Sequence, residues 1–186
     1  EDAWTWEHMA LVRARVVAGP EKLASKIAGV IREVLCTKRD PKSIFVDVAE
    51  IRERIDREKS TANIWSVKYV RGGVVDLEFM AQALVLLHAR NHPGVIDGNT
   101  SAAFEKLSRA GVIDSTISKE LIDATNLMGD VQGLLRQTMH EVFDETLAPE
   151  GLRAALAALT EEESFEVLRE RLLKTQKNVF LHFQQM

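Results

Sequence analysis

Hydrophobic residues recur at intervals of three and four along most of this chain, the spacing that places side chains on one face of an α-helix. The longest series lies within residues 117–142 and predicts one long helix that is packed along its whole length. Shorter series predict helices over residues 6–18, 21–35, 48–59 and 100–111, and Thr160 with Glu163 predicts a capped final helix. The positions of the longest series are Ile117, Leu121, Ala124, Met128, Val131, Leu135, Thr138 and Val142.

Residues 76–90 are apolar nearly all round, as expected of a helix that other helices surround. Just before them, Trp65, Val67 and Tyr69 alternate with polar residues, which predicts a short extended segment. The whole pattern predicts an all-α protein: a helical bundle of about six to seven helices with a long central helix. We expect residues 1–186 to form a single helical domain.

The amino-acid composition favours an α-helical fold and limits the kinds of molecule that the protein is expected to bind. Aromatic residues make up 6% of the chain and there are four prolines, which disfavours a β-sandwich or barrel. The net charge of −4 gives no overall attraction to nucleic acid or to an anionic membrane. The most apolar run, residues 79–89, is much shorter than the ~20 residues that span a bilayer. With one cysteine, Cys36, and no signal-peptide pattern, we expect a cytoplasmic protein without nucleic-acid or membrane partners.

Two acidic residues and a glycine pair stand out in VRGGVVDLEFMAQ, residues 70–82. On a strand, Asp76 and Glu78 would share one face and could hold Mg²⁺ together. On the predicted helix they point about 200° apart and cannot share an ion. Asp76 then suits the first helical turn, where a carboxylate accepts hydrogen bonds from backbone N–H groups. Both this structural role and a functional role stay open.

Glu78 and Gln82 lie one turn apart on the same helix, and a buried carboxylate normally needs a partner. Arg71 or Lys68 is the expected partner of Glu78. The result is either an internal ion pair that holds the glycine turn or a polar patch that faces a cleft.

Signals for phosphate or metal binding are weak. Gly72 and Gly73 before a helix could admit an anion, yet neither the P-loop nor the three-glycine dinucleotide pattern is present. His88 and His92 have metal-ligand spacing, but Pro93 ends the helix at once. We therefore predict no metal site in this chain, and no arrangement of Ser, Cys and His indicates a catalytic residue.

Three segments resemble one enzyme family, and they occur in the family's order. They are WTWEHMALVRARVVAG at 4–19, IRERIDREK at 51–59 and WSVKYVRGGVVDLEFMAQ at 65–82. The family is glutamine synthetase adenylyltransferase, in which an EHxALxRAR segment closes a nucleotidyltransferase domain and a helical domain with GGxxDxEFxxQ follows. The chain resembles the helical domain after the C-terminal, adenylylating nucleotidyltransferase domain, and the resemblance extends more weakly to the end of the chain.

The resemblance implies a function. Residues 1–19 would connect from a missing upstream nucleotidyltransferase domain, and residues 20–186 would form the bundle. The full enzyme would use ATP and Mg²⁺ to move AMP to a tyrosine of glutamine synthetase, in nitrogen regulation under glutamine and PII-type signalling proteins. The family's Gly-Ser turn and Asp-x-Asp strand, which bind metal, have no counterpart here. The chain alone is therefore expected to be inactive and to carry no cofactor. Its expected partners are the upstream domain, glutamine synthetase and a PII-type protein.

Nine residues are candidates for a nucleotide-binding or interdomain cleft, because cations around a triphosphate stabilise transfer of its phosphoryl groups. Each cation could equally be an ion-pair partner. Two alternatives remain: a non-catalytic docking or regulatory module for glutamine synthetase or a PII-type protein, and the related helical domain of a PII uridylyltransferase. The candidates are Arg13, Arg15, Lys68, Arg71, Gly72, Gly73, Asp76, Glu78 and Gln82.

Overall fold

The computed structural model describes residues 3–139 and 142–186. These residues form eight α-helices and one short 3₁₀ helix, without a strand, which confirms the all-α prediction. The helix that the sequence pattern did not predict is the seventh. The helices are α1 (Thr5–Val12), α2 (Glu21–Leu35), α3 (Pro41–Lys59), α4 (Val74–His88), the 3₁₀ helix (Pro93–Val95), α5 (Thr100–Arg109), α6 (Ser115–Thr138), α7 (Glu150–Leu159) and α8 (Phe165–Gln184). None of them is long and apolar enough to cross a membrane.

The described residues group into two compact units. Unit 1 comprises Glu1–Arg54 and Glu78–Ile122, and unit 2 comprises Ile55–Leu77 and Asp123–Met186. Helices α3, α4 and α6 each begin in one unit and end in the other. The single helical domain over residues 1–186 stays a prediction.

The core of unit 1 is built from helices α1 to α5. Met9, Leu35, Val48, Leu86 and Phe104 are buried there, one from each helix in turn. Helix α4 has buried side chains on nearly every face, which agrees with its apolar sequence.

The core of unit 2 contains a cluster of three aromatic rings. Trp65 stacks on Phe165 with ring centroids 4.7 Å apart, and meets Phe143 edge to face at 5.3 Å. The indole N–H of Trp65 donates to a carboxylate oxygen of Glu145 at 2.7 Å, and Arg169 donates to both oxygens of that carboxylate at 3.1 Å. The stacked ring of Trp65 and the hydrogen bond of its indole N–H thus hold the segment after α3 against α8.

The predicted end of the first helix and the predicted start of the final helix were wrong. The helix expected over residues 6–18 ends at Val12, where short-range bonds from the N–H groups of Arg13 and Ala14 close the last turn and Val16–Val17 disfavours continuation. The final helix begins at Phe165, because Ser164 caps it by accepting from the N–H of Val167 at 3.2 Å. Thr160 instead ends α7, where its hydroxyl donates to the carbonyl of Leu156 at 2.9 Å.

The long helix α6 ends at Thr138, and Val142 lies beyond it with 76% of its surface exposed. Residues 140 and 141 of the predicted long helix, and the first two residues of the predicted connecting segment, lie outside the described residues.

The predicted extended segment at Trp65, Val67 and Tyr69 is a series of turns, not a strand. The N–H groups of Tyr69 and Val70 both donate to the carbonyl of Ser66, at 3.1 and 3.3 Å. Trp65 and Val67 are buried, so the turns place alternate side chains inward and imitate the pattern of a strand.

Candidate functional site

The structure distributes the nine predicted residues among three places. One is a cavity of unit 1 that we call the Arg13 cavity. Another is the glycine turn of unit 2, residues 68–76. The third is a groove beside α2 in unit 1, which we call the α2 groove. Arg13, Glu78 and Gln82 belong to the first place, Lys68, Arg71, Gly72, Gly73 and Asp76 to the second, and Arg15 to the third.

The centre of the first place is an ion pair. Arg13, which directly follows α1, contacts Glu78 of α4 through its Nη1 atom and the Glu78 Oε1 atom at 2.8 Å. The expected partner of Glu78 was Arg71 or Lys68, and that expectation was wrong. Arg13 has helical backbone angles and continues the face of α1 that carries Trp6 and Ala10, which places it beside the first turns of α4.

The cavity beside this ion pair has a volume of about 400 Å³. Trp6 and Phe79 supply aromatic surface, and the buried amide of Gln82 adds a donor and an acceptor. Its volume lies within the range of small-molecule sites, roughly 300–1,000 Å³. Aromatic faces beside a guanidinium suit a planar or anionic ligand group. The full lining is Trp6, Met9, Ala10, Arg13, Ile51, Arg54, Phe79 and Gln82.

The two glycines of the turn are enclosed by protein backbone. Gly72 has a φ of +75°, which favours glycine, and a Cβ atom there would lie 1.8 Å from the carbonyl oxygen of Gln176. At Gly73 a Cβ atom would lie 2.2 Å from the carbonyl oxygen of Val67. The N–H of Gly72 donates to the carboxylate of Asp76. A phosphate would need open space beside the glycines and a free N–H group at Gly72. Protein backbone fills that space, and Asp76 accepts the hydrogen bond from that N–H group.

Two cations of the turn reach solvent. Arg71 contacts Asp56 of α3 at 3.1 Å, and the side chains of both are a little over a quarter exposed. Lys68 is exposed, with its ammonium 5.1 Å from the ring centroid of Tyr69. Asp76 is fully buried, so any effect of Asp76 on a ligand acts through the position of the turn.

Arg15 lies in the α2 groove, which has a volume of about 820 Å³. The groove is bounded by the segment after α1, by α2, by the 3₁₀ helix and by α5. Lys106 also lines it and is held by Asp97 at 2.8 Å. The structure thus separates Arg15 from Arg13, although the two are only two residues apart in sequence.

No group of three or more His, Cys, Asp or Glu side chains within the described ranges is arranged to hold a metal ion. Burial lowers the pKa of His88, and the charge of His92 lowers it further. The described residues do not fit a magnesium site.

Comparison with protein families gives a match over most of the chain. The family model described as GlnD PII-uridylyltransferase matches residues 47–186. The chain belongs to this family. The matched range includes the glycine turn and all of α4, and hence Glu78, Gln82 and Arg71.

Comparison with individual curated proteins finds relatives that are named as an enzyme. A bifunctional glutamine synthetase adenylyltransferase/adenylyl-removing enzyme of Bradyrhizobium diazoefficiens is 38% identical over 178 residues, 96% of this chain and 18% of the relative. The corresponding enzyme of Rhodopseudomonas palustris is 37% identical over 179 residues, again 96% and 18%. That of Xanthobacter autotrophicus is 36% identical over 186 residues, 100% of this chain and 19% of the relative. The resemblance to glutamine synthetase adenylyltransferase is confirmed, and the chain spans about a fifth of these relatives' length.

Several residues that line the Arg13 cavity were not identified as site residues from the sequence. Trp6 and Phe79 were treated only as helix positions, and Ile51 and Arg54 only as part of the helix predicted over residues 48–59. Phe79 and Gln82 are three apart on α4, which places them on one helix face and was the available signal. That face could not be assigned to a cavity without knowing that α1 and α3 pack beside it.

Proposed function

We propose that this chain is the helical domain that follows the adenylylating nucleotidyltransferase domain of a glutamine synthetase adenylyltransferase. In this role it supports transfer of AMP from ATP to a tyrosine of glutamine synthetase. The observation that carries the proposal is that two predicted cleft residues, Arg13 and Gln82, line one cavity with an aromatic wall, and that a third, Glu78, pairs with Arg13. The names of the relatives supply the reaction and the protein substrate.

Arg13 has the central role in this proposal. A guanidinium has five N–H donors, and the recorded bond to Glu78 uses one of its nitrogens. Glu78 therefore orients Arg13 and leaves donors for an anionic group brought by the neighbouring domain. Because phosphoryl-type transfer depends mainly on positioning and charge stabilisation, a correctly held cation can raise the rate without taking part in bond making.

The glycine turn has a supporting role. Asp76 and the two glycines hold the turn, and Asp56 orients Arg71 at its surface. In the proposal, Arg71 and Lys68 face the nucleotidyltransferase domain and the buried members act only by positioning them. Substituting Arg71 should then reduce transfer without unfolding the chain.

The reacting atoms and the metal are assigned to the rest of the polypeptide. ATP and Mg²⁺ belong, in this proposal, to the complete enzyme. The chain alone is proposed to be inactive, and a PII-type protein is proposed as a regulator of the full enzyme.

The test is intact-mass analysis of two candidate acceptor proteins, glutamine synthetase and a PII-type protein, incubated with ATP, UTP and Mg²⁺. Two samples are compared: the full-length enzyme and the 186-residue chain. We expect AMP on glutamine synthetase with the full-length enzyme only. UMP on the PII-type protein would favour the uridylyltransferase alternative, which the family description also names. AMP transfer by the chain alone would contradict the proposal.

A further inference from the structure

Gln82 is a buried polar side chain that lines the Arg13 cavity. The residue is only 7% exposed, yet its amide atoms are not sealed within protein and reach the cavity. Among the residues that the structure describes, none forms a hydrogen bond with this amide. A largely buried amide without a hydrogen-bond partner costs free energy, so its presence in a folded protein needs an explanation.

Ordered water would satisfy the amide only in part. A buried water molecule normally makes about three hydrogen bonds, and so needs other polar groups close by. The side chains around the amide are mostly apolar, and a ligand with a flat apolar body and one polar edge fits them better than water does. These apolar neighbours are Met9, Ala10, Ile51 and Phe79.

The cavity has an inner end and a mouth of different character. Gln82 marks the inner end, whereas Arg54 of α3 is exposed and the side chain of Arg13 is 53% exposed. Glu78 contacts Arg13 at 2.8 Å and brings one negative charge. Because two guanidinium groups outweigh one carboxylate, the mouth attracts anions.

These groups together match the parts of a nucleotide. A carboxamide offers a donor beside an acceptor, and a glutamine side chain pairs in this way with N6 and N7 of adenine. The rings of Trp6 and Phe79 suit the flat faces of a base. Guanidinium groups such as those of Arg13 and Arg54 match the geometry of phosphate.

We propose that the Arg13 cavity binds the base of an adenine nucleotide, with Gln82 on the N6 and N7 edge of the base and with Arg13 and Arg54 on the phosphate groups at the mouth. The inference rests on the proposed function for the choice of adenine. Gln82 is then a specificity-determining residue. Arg54, which was not singled out from the sequence, is a second cation for the phosphates.

The test is photolabelling of the full-length enzyme with 2-azido-ATP, followed by mass mapping of the labelled peptides. The azide is on C2 of the base, away from N6 and N7, and reacts with side chains near the bound base. We expect label on peptides that contain Trp6 or Phe79. Unlabelled ATP should reduce this label at least about fivefold more than UTP does, since the smaller uracil ring covers less of the aromatic wall.

Gln82→Met is the decisive variant, because methionine keeps the length of the side chain and removes its hydrogen-bonding groups. The label on these peptides should fall at least about fivefold, the loss expected for one paired contact to a base. The matched control Gln184→Met changes an exposed glutamine of α8 and should leave the label unchanged. Undiminished label in Gln82→Met would overturn the proposal.

Urea denaturation separates a role in binding from a role in folding. The unfolding midpoint of Gln82→Met should equal or exceed that of the wild type, since the amide gives up no hydrogen bond to a described residue. A lower midpoint would assign Gln82 to the stability of the fold and would overturn the proposal.

The other outcomes separate this inference from the proposed function. Label found only outside the 186 residues of this chain, or reduced equally by UTP and ATP, would overturn the inference. Photolabelling does not require turnover. Label at Trp6 or Phe79 in an enzyme that fails to transfer AMP would therefore support the inference and contradict the proposed function alone. Transfer of AMP by an enzyme without label at these peptides would contradict the inference alone.

Discussion

The carboxylate of Asp76 accepts a hydrogen bond from the backbone N–H of Gly72, four residues earlier, and it does so while fully buried. The same glycine lies against the backbone of Gln176, so closely that no side chain fits between them. Two of the most distinctive residues of the RGGVVDLE stretch therefore shape the turn before α4. In the proposed function, they act only through the position of Arg71.

Substituting Gly72 by alanine should strongly destabilise the chain. The new methyl group would meet the carbonyl of Gln176 and the residue would keep a φ that costs L-amino acids roughly 1–2 kcal/mol even without a clash. We expect the free energy of unfolding, measured by urea denaturation, to fall by more than that amount.

The matched control is Gly129→Ala. Gly129 lies within α6, and an added Cβ atom meets nothing within 4 Å. The substitution should raise the free energy of unfolding by up to about 1 kcal/mol, because alanine favours helix. Equal behaviour of the two variants would contradict the packing described for Gly72.

Asp76→Ala and Asp76→Asn should differ in their effect on stability. Alanine leaves the buried N–H of Gly72 without its acceptor, at a cost of about 1–3 kcal/mol, whereas asparagine retains a carbonyl oxygen. Urea denaturation of both variants should rank wild type above Asp76→Asn and Asp76→Asn above Asp76→Ala. If Asp76→Ala were as stable as the wild type, the hydrogen bond would not hold the turn.

Sequence periodicity was sufficient for the fold class and for most helices, because helices with buried stripes repeat every three to four residues. Helix α7 was missed because Pro149 and Gly151 at its start are typical of a loop, and its many alanines give little hydrophobic contrast. The pairing of Glu78 with Arg13 could not be predicted either, since the two residues lie 65 positions apart and periodicity does not show which helices meet.

The glycine turn shows a different limit of sequence reasoning. Glycines before a helix are compatible with anion binding and with close backbone approach, and the sequence does not distinguish these. The distinction comes from Gln176, more than 100 residues later, whose carbonyl fills the space beside Gly72. The assignment of the turn residues to a nucleotide or interdomain cleft stays a prediction.

The carboxylate of Glu145 should make stability depend on pH. The hydrogen bond from the Trp65 indole is the main cause that holds the pKa of Glu145 below its ordinary value, and Arg169 adds to it. With the pKa lower in the folded state, this contribution is fully present above the unfolded pKa of about 4.3 and is lost as pH falls through the folded value.

Glu145→Gln should therefore flatten part of the fall in the free energy of unfolding as the pH falls from about 5 to about 3. The measurement is urea denaturation at several pH values, with exposed Glu170→Gln of α8 as the control. A pH profile of Glu145→Gln identical to that of the wild type would show that Trp65 and Arg169 do not perturb this carboxylate.

The ion pair of Arg13 and Glu78 should add little to stability. The two side chains are 53% and 24% exposed, and exposed pairs contribute about 0.2–1 kcal/mol. A double-mutant cycle with Arg13→Ala and Glu78→Ala, followed by urea denaturation, should give a coupling energy within that range. A much larger coupling energy would mean that the ion pair mainly stabilises the folded chain and does not mainly orient Arg13 at the cavity.

The most direct test of the account uses full-length enzyme and intact-mass analysis of glutamine synthetase over time. Arg13→Ala should lower the initial rate of AMP transfer by about tenfold or more, since one positioned cation stabilises transferring phosphoryl charge. The control is Arg109→Ala, which removes an arginine from an exposed pair with Glu105 and should leave the rate unchanged. A rate for Arg13→Ala equal to that of Arg109→Ala would contradict the assignment of Arg13 and its cavity to the transfer reaction.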